Sequence, residues 1–143
     1  MSSDIQLDAK TYQAIAHHCE DGDRLTEADQ LDEALAAYRR AWDLLPDPQR
    51  AWEVATWIKV AIADVHFFAA RFDEAIAELD YALTCPGGLS NPYIALRMGQ
   101  ALWELGQADE ARECLRDALA AAGAEIFDGE DGKYLALARE GGK

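Results

Sequence analysis

The sequence predicts an all-α fold: an antiparallel helix-pair solenoid of three repeats, with a helical N-terminal extension and a short C-terminal capping helix. Three observations carry this. A cassette occurs three times, as Asp32-Glu33-Ala34, Asp73-Glu74-Ala75 and Asp109-Glu110-Ala111. Each first alanine is followed at the fourth residue by a large apolar side chain (Tyr38, Leu79, Leu115) and at the seventh by a second alanine (Ala41, Ala82, Ala118). Twelve residues after the first alanine stands a helix breaker, Pro46, Gly87 or Gly123. Self-similarity on this scale is the signature of stacked supersecondary units, each too small to bury its apolar face alone.

The elements follow in order. The first helix is expected over about Asp8 to Thr26, with Ile5 to Ile15 extending it to close the first apolar face. In each cassette the aspartate (Asp32, Asp73, Asp109) is expected to be an N-cap, and the glutamate favours the positive end of the helix dipole. Spacings of four and seven put both alanines and the large residue on one stripe, where small side chains admit a close partner helix. The breaker then ends a helix of roughly three turns. Before the second cassette lies a longer helical run, about Gln49 to Ala70; before the third, Tyr93 to Leu105, stopped by Gly106. Ala34 and Ala75 are 41 residues apart, Ala75 and Ala111 only 36. The extra segment, Asp47 to Glu53, is expected to lengthen the second repeat's first helix, with Pro48 in its first turn. The repeats run at about 15–48, 49–88 and 92–123 within a single domain, 1–143. A cap at 124–140 lays Ile126, Phe127, Tyr134, Leu135 and Leu137 over the last repeat, and Gly141 to Lys143 fray.

Composition narrows the function. Of 143 residues, 27 are acidic and 13 are Lys or Arg, for a net charge of −14. Such a field opposes phosphate backbones and anionic membranes, and it favours a protein partner with a basic surface. The acids cluster: Glu20 to Glu33 holds seven against one base, Arg24, and Glu125 to Asp131 holds four against none. No apolar run reaches membrane-span length, and Met1 to Lys10 lacks the pattern of a signal peptide, so a cytoplasmic location is expected. Cys19, Cys85 and Cys114 have neither metal nor disulfide spacing and read as reduced thiols.

Chemistry-bearing motifs fail on inspection. His17 and His18 are consecutive and converge poorly on a metal, and His66 falls at a core position. The stretch Asp21 to Asp32 has Thr26 where a calcium loop needs glycine and Leu25 where it needs a ligand; Asp128 to Gly132 is too short. No nucleophile elbow, phosphate-binding loop or zinc-protease motif is present. The chain reads as a non-enzyme with no catalytic residue, no metal and no cofactor.

Across about residues 15 to 123 the sequence resembles the tetratricopeptide-repeat family, whose repeat is about 34 residues long. Gly22, Leu25, Ala34, Tyr38, Ala41 and Pro46 fall on its signature positions in the first copy. In the second they are Ala63, His66, Ala75, Leu79, Ala82 and Gly87; in the third, Gly99, Leu102, Ala111, Leu115, Ala118 and Gly123. The family's usual tryptophan early in the repeat is replaced by His18, Lys59 and Ala95. Trp52 to Phe68, Cys85 to Gly106 and Gly123 to Asp131 also resemble a group of small bacterial repeat proteins, although Gly132 stands where that group carries proline.

The resemblance implies that the first helix of each pair lines a concave groove. Its groove-facing positions fall on Trp57, Val60, Asp64, Phe67 and Phe68 in the second repeat, and on Tyr93, Leu96, Gln100, Trp103 and Glu104 in the third. In the first they are Ala16, Cys19, Asp23, Thr26 and Glu27, with Asp23 and Glu27 an acidic patch. Aromatic anchors among polar neighbours suit recognition of another protein. The function expected is protein–protein interaction through this groove and the acidic surface. The first concrete form is an immunity-type toxin inhibitor. The alternative is a secretion chaperone or scaffold gripping a peptide, and a small enzyme or metal-binding domain is the remote one. Self-association is compatible with all three.

Overall fold

The computed structural model describes residues 7–140. It is all-helical: α1 Ala9–Glu27, α2 Leu31–Asp43, α3 Glu53–Phe68, α4 Phe72–Leu83, α5 Pro92–Glu104, α6 Ala108–Ala122 and α7 Gly132–Glu140, with 3₁₀ turns at Gln49–Ala51 and Ala124–Phe127. α1 packs on α2, α3 on α4 and α5 on α6, making three helix pairs. The pairs stack through α2 against α3 and α4 against α5, and α7 closes the stack on α6.

The repeated alanines make this stacking close. Ala34, Ala41, Ala75, Ala82, Ala111 and Ala118 are all fully buried, as are Leu79 and Leu115 between them. Tyr38 is buried in the same register. On the partner helices the matching positions are Gly22, Ala63 and Gly99. A Cβ at Gly99 would lie 2.7 Å from Leu115 Cγ and 3.0 Å from the Ala111 carbonyl oxygen, and one at Gly22 would meet the Tyr38 ring at 2.4 Å. Glycine here is therefore a packing requirement, since overfilling a tight crossing displaces a helix. His66 is buried as expected, its Nδ1 accepting from Arg71 Nε at 3.1 Å.

The aspartates are not N-caps. Within every pair the first helix ends in the same motif. Asp29, Ala70 and Gly106 stand at positive φ (62°, 60° and 84°). Their N–H groups donate to Thr26, Phe67 and Trp103, and the next N–H groups, of Gln30, Arg71 and Gln107, reach back to Leu25, His66 and Leu102. This Schellman arrangement uses those carbonyls at once. It also makes its last residue the N-cap of the following helix, so the caps are Gln30, Arg71 and Gln107, without a side-chain bond. Asp32, Asp73 and Asp109 lie inside the first turn beside their glutamates, where they act on the helix dipole. True side-chain caps occur where no such turn precedes. Asp8 accepts from Thr11 N at 2.8 Å at the start of α1, and Asn91 accepts from Tyr93 N at 2.9 Å at the start of α5.

The extra residues of the second repeat also differ from expectation. α3 begins only at Glu53, and residues 47–52 form a loop with one 3₁₀ turn. Pro46 and Pro48 bias the chain away from α geometry, and Trp52 is extended (φ −92°, ψ 140°). The loop closes over the end of α2: Gln49 Nε2 donates to the Trp42 carbonyl and Trp52 Nε1 to the Pro46 carbonyl, both at 2.9 Å. Lys59, where the family has tryptophan, fills its place with an alkyl stem. Its Nζ sits 4.4 Å from the Trp42 ring centroid and 4.6 Å from that of Tyr81, and bonds Glu78 at 2.9 Å.

At the N-terminus α1 begins at Ala9, so Ile5 and Gln6 of the expected extension lie outside the described residues, as do Gly141 to Lys143. At the other end Phe127, Tyr134, Leu137 and Ala138 are buried against Leu96, Leu115 and Ala118, forming the cap. None of the described helices is long and apolar enough to cross a membrane.

Candidate partner-binding groove

Residues of the first helices of the three pairs, α1, α3 and α5, line one pocket together with Tyr38 of α2. Trp57, Ala61 and Asp64 recur along α3 at helical spacing and line it, buried Ile58 reaches it from beneath, and Ile62 and Val65 lie in the core. With Cys19 and Asp23 from α1 and Tyr93 from α5 they enclose a pocket of about 340 Å³. Val54 and Trp57 also line a larger depression of about 1040 Å³, which runs toward Tyr12, Trp52, Pro86 and Asn91. Trp57 thus lines both hollows. It is 56% exposed, although the indole is among the most costly side chains to leave in water.

Both charges in the smaller pocket are negative. Asp23 Oδ1 accepts from the Tyr38 hydroxyl at 2.5 Å, which holds its carboxylate on the groove side of α1. Asp64 is fixed more firmly, with Arg97 Nε donating to Oδ1 at 2.8 Å and the Tyr93 hydroxyl to Oδ2 at 3.1 Å. Among the described residues no Lys or Arg lines this pocket.

Arg97 is the centre of a buried network behind the groove, with its side chain 3% exposed. Besides Asp64 it donates to Tyr93 Oη (2.6 Å), Gln100 Oε1 (2.8 Å) and Glu130 Oε1 (3.3 Å). Gln100 Nε2 also donates to Glu130 Oε1 at 2.8 Å. The guanidinium carbon lies 4.7 Å from the Phe67 ring centroid, 5.2 Å from Phe68 and 5.3 Å from Tyr93. Desolvation works against the Arg97 charge, but Asp64, Tyr93 and Glu130 outweigh it and its pKa is raised. Desolvation raises the Asp64 carboxyl, against the pull of Arg97 and the Tyr93 hydrogen bond. Burial, then the neighbouring Asp64 charge, push the Tyr93 phenol up to about 12. The network ties α3, α5 and the loop before α7 into one unit.

The expected groove residues therefore separate by environment. Asp23, Trp57, Asp64 and Tyr93 share the pocket, with Val60 buried at its base. Phe67 and Phe68 pack beside Arg97; Phe68 is 52% exposed. Leu96 and Gln100 are fully buried. Trp103 is half-buried in the cap cluster, with the Arg112 guanidinium 5.6 Å from its ring. Glu104 is engaged by the cap, accepting from the Tyr134 hydroxyl at 2.6 Å and Lys133 Nζ at 2.9 Å, which hold its pKa low. Glu27 is exposed on α1, outside the pocket lining. Arg97 and Glu130 were not singled out from sequence. The legible signal is that Arg97 is the single charge between Pro92 and Trp103, inside an otherwise apolar helical stretch.

Reactive chemistry is not assembled here. Cys19 in the groove and Cys114 on α6 are pushed up to about 11 by burial and neighbouring carboxylates, so both are thiols at neutral pH. Among the described residues no three His, Cys, Asp or Glu side chains are grouped to hold a metal.

Comparison with known proteins bears on the fold. Residues 93–124, which span α5 and α6, match the tetratricopeptide repeat family. No curated protein matches the sequence. Among solved structures, the fold is similar to the tetratricopeptide-repeat domain of Arabidopsis OM64, at 18% identity and TM-score 0.70, covering 91% of this chain and 95% of that one. It is also similar to the Yersinia enterocolitica type III secretion chaperone SycD, solved with a peptide of the translocator YopD (12% identity, TM-score 0.71, 90% and 92% covered). The second such domain of human RPAP3, solved with the HSP70 peptide SGPTIEEVD, is similar too (15% identity, TM-score 0.67, 93% and 98% covered). Residues 93–124 thus match the tetratricopeptide repeat, and the chain shares the fold of tetratricopeptide-repeat domains across its described length.

Proposed function

We propose that the chain is a non-enzymatic binding module that holds a partner protein with a basic surface against the face formed by α1, α3 and α5. The observation that carries this reading is Trp57. An indole left 56% exposed on the shared wall of two hollows is the kind of aromatic anchor that a partner desolvates. The net charge of −14 supports a basic partner, through faster encounter and a complementary interface. An acidic peptide of the kind bound by the human RPAP3 domain, SGPTIEEVD, meets the wrong sign here, because Asp23 and Asp64 are the charges in the pocket.

Occlusion of a basic catalytic cleft, in the manner of an immunity protein, is the form of binding that this charge balance suits best. A chaperone gripping an extended segment is the alternative, and the neighbouring hollows that share Trp57 favour it. Three unpaired cysteines are in keeping with a cytoplasmic encounter.

The test is purification of the wild-type chain and Trp57→Ala from the native host, followed by affinity measurement on the captured partner. Trp57→Ala is expected to keep the helical circular dichroism and to weaken binding about 30-fold, the loss typical of a hot-spot residue. An inhibitor abolishes its partner's toxicity at one equivalent, whereas a chaperone keeps its client soluble and leaves the activity intact. Binding that is indifferent to Trp57→Ala overturns the groove as the interface.

A further inference from the structure

We infer that the 340 Å³ pocket receives a lysine or arginine side chain from an extended segment of the partner, with the apolar residue two positions along that segment seated on Trp57. This rests on the protein-binding reading above and adds the chemistry of what is bound.

The pocket's size is at the lower limit for ligand sites, enough for one long side chain rather than a folded element. Its walls are mixed in a way that suits an amphipathic cation. Trp57, Val54, Ala61 and Tyr93 offer apolar and aromatic surface to an alkyl stem. Asp23 and Asp64 offer carboxylates to the head. The internal hydrogen bonds leave capacity for such a guest. Asp23 spends one oxygen on the Tyr38 hydroxyl and keeps the other free. Asp64 is committed to Arg97 and Tyr93, but Arg97 is shared with Glu130, so two carboxylates face one guanidinium and the cluster retains a net negative charge. Tyr93 and Trp57 present ring surface to a cation within the same lining.

Trp57 sets the direction of the segment. It belongs to both hollows, and the outer one continues over Trp52, Pro86 and Asn91, so a chain leaving the pocket crosses the indole. The residue two positions from the basic one lands on Trp57. The expected motif is basic–x–apolar, as side chains alternate on an extended segment. A second copy of this chain fits less well, since the chain carries 27 acids against 13 bases.

The test is selection of a randomised twelve-residue displayed peptide library on the wild-type chain, counter-selected on Trp57→Ala. Recovered peptides are then synthesised with arginine, lysine, citrulline or glutamate at the basic position, and their affinity is read by fluorescence anisotropy at low and high salt. Enrichment of a basic–x–apolar motif is expected. Citrulline, which keeps the arginine shape without charge, is expected to bind at least about ten-fold more weakly. Asp23→Asn keeps an acceptor for Tyr38 and is expected to weaken the arginine peptide about five-fold, the scale of one partly exposed ion pair. The same substitution leaves the citrulline peptide unchanged. Asp64→Asn is read only with its thermal midpoint, because it also loosens Arg97. Neutral or acidic peptides that still require Trp57 would overturn the cation pocket and leave the groove reading standing. Recovery indifferent to Trp57→Ala would overturn both, as would a self-associated chain with the groove occupied by its own copy in sedimentation equilibrium.

Discussion

Replacing Arg97 with methionine tests the buried network most directly. The substitution removes donors to Asp64, Tyr93, Gln100 and Glu130. Methionine retains contact with Phe67 and Phe68 through a flexible apolar stem, so the loss is mainly electrostatic. Breaking a buried ion pair from one side costs about 3–5 kcal/mol, because the carboxylate left behind is desolvated and unpaired. Asp64 and Glu130 keep 23% and 22% of their side-chain exposure, so water takes over part of the role. The lower end, about 3 kcal/mol, is therefore expected, or about 10 °C in thermal midpoint for a chain of this size. Urea titration followed by circular dichroism gives the value. Adding Asp64→Leu, which removes the orphaned charge, is expected to recover about half of the loss. A pH series separates this from a plain packing defect. Burial already raises the folded-state pKa of Asp64 above its unfolded value, and without Arg97 that rise grows. A carboxyl with a raised folded pKa gains folded-state stability as pH falls through that pKa. The deficit of Arg97→Met is thus largest at pH 7 and shrinks toward pH 4. A loss under about 1 kcal/mol, or a deficit flat with pH, would refute the reasoning.

Two further outcomes follow from the turns and the core. Ala70 holds a left-handed φ of 60° with its side chain exposed, so Ala70→Gly is expected to stabilise by about 1 kcal/mol, and Gly106→Ala, at φ 84°, to destabilise by a similar amount; urea midpoints decide both signs. Desolvation lowers the folded pKa of His66 below its unfolded value, so its contribution is fully present above the unfolded pKa and is lost as pH falls through the folded one. Stability measured between pH 7.5 and 5 is expected to fall more steeply in the wild type than in His66→Gln, and parallel curves would exclude the effect.

The helix pairs, their order and their cap were legible because packing repeats leave a periodic trace. The six cassette alanines are buried because no larger side chain fits where those helices cross, and a residue chosen by volume shows in the sequence. The register located Trp57, Asp64 and Tyr93 on one surface for the same reason. The turn chemistry was less legible. An aspartate before an apolar run is a sound N-cap signal on its own, but here the preceding Schellman turn shifts the start of each second helix forward, and Asp32, Asp73 and Asp109 fall inside it. Residues 47–52 become a loop because their prolines and the hydrogen bonds to Trp42 and Pro46 outweigh helix continuation.

Sequence by itself determined the solenoid: apolar spacing, small residues at crossings and acids at helix starts are local or periodic constraints. Tertiary structure decided which groove positions face solvent. Gln100 holds the repeat position of Asp64, yet it is fully buried while Asp64 keeps 23% of its side-chain exposure; Trp57 is 56% exposed where its counterpart Tyr93 is half-buried. The difference is what lies beside each helix. Beside α5 the loop before α7 brings Glu130 onto Gln100 and Arg97, and the cap takes up Glu104 and Trp103. Beside α3 the stack leaves a hollow. Such pairings join residues about thirty positions apart, Asp64 with Arg97 and Arg97 with Glu130 among them. Their free energy depends on distance and desolvation in the folded chain, which periodicity along the sequence does not encode.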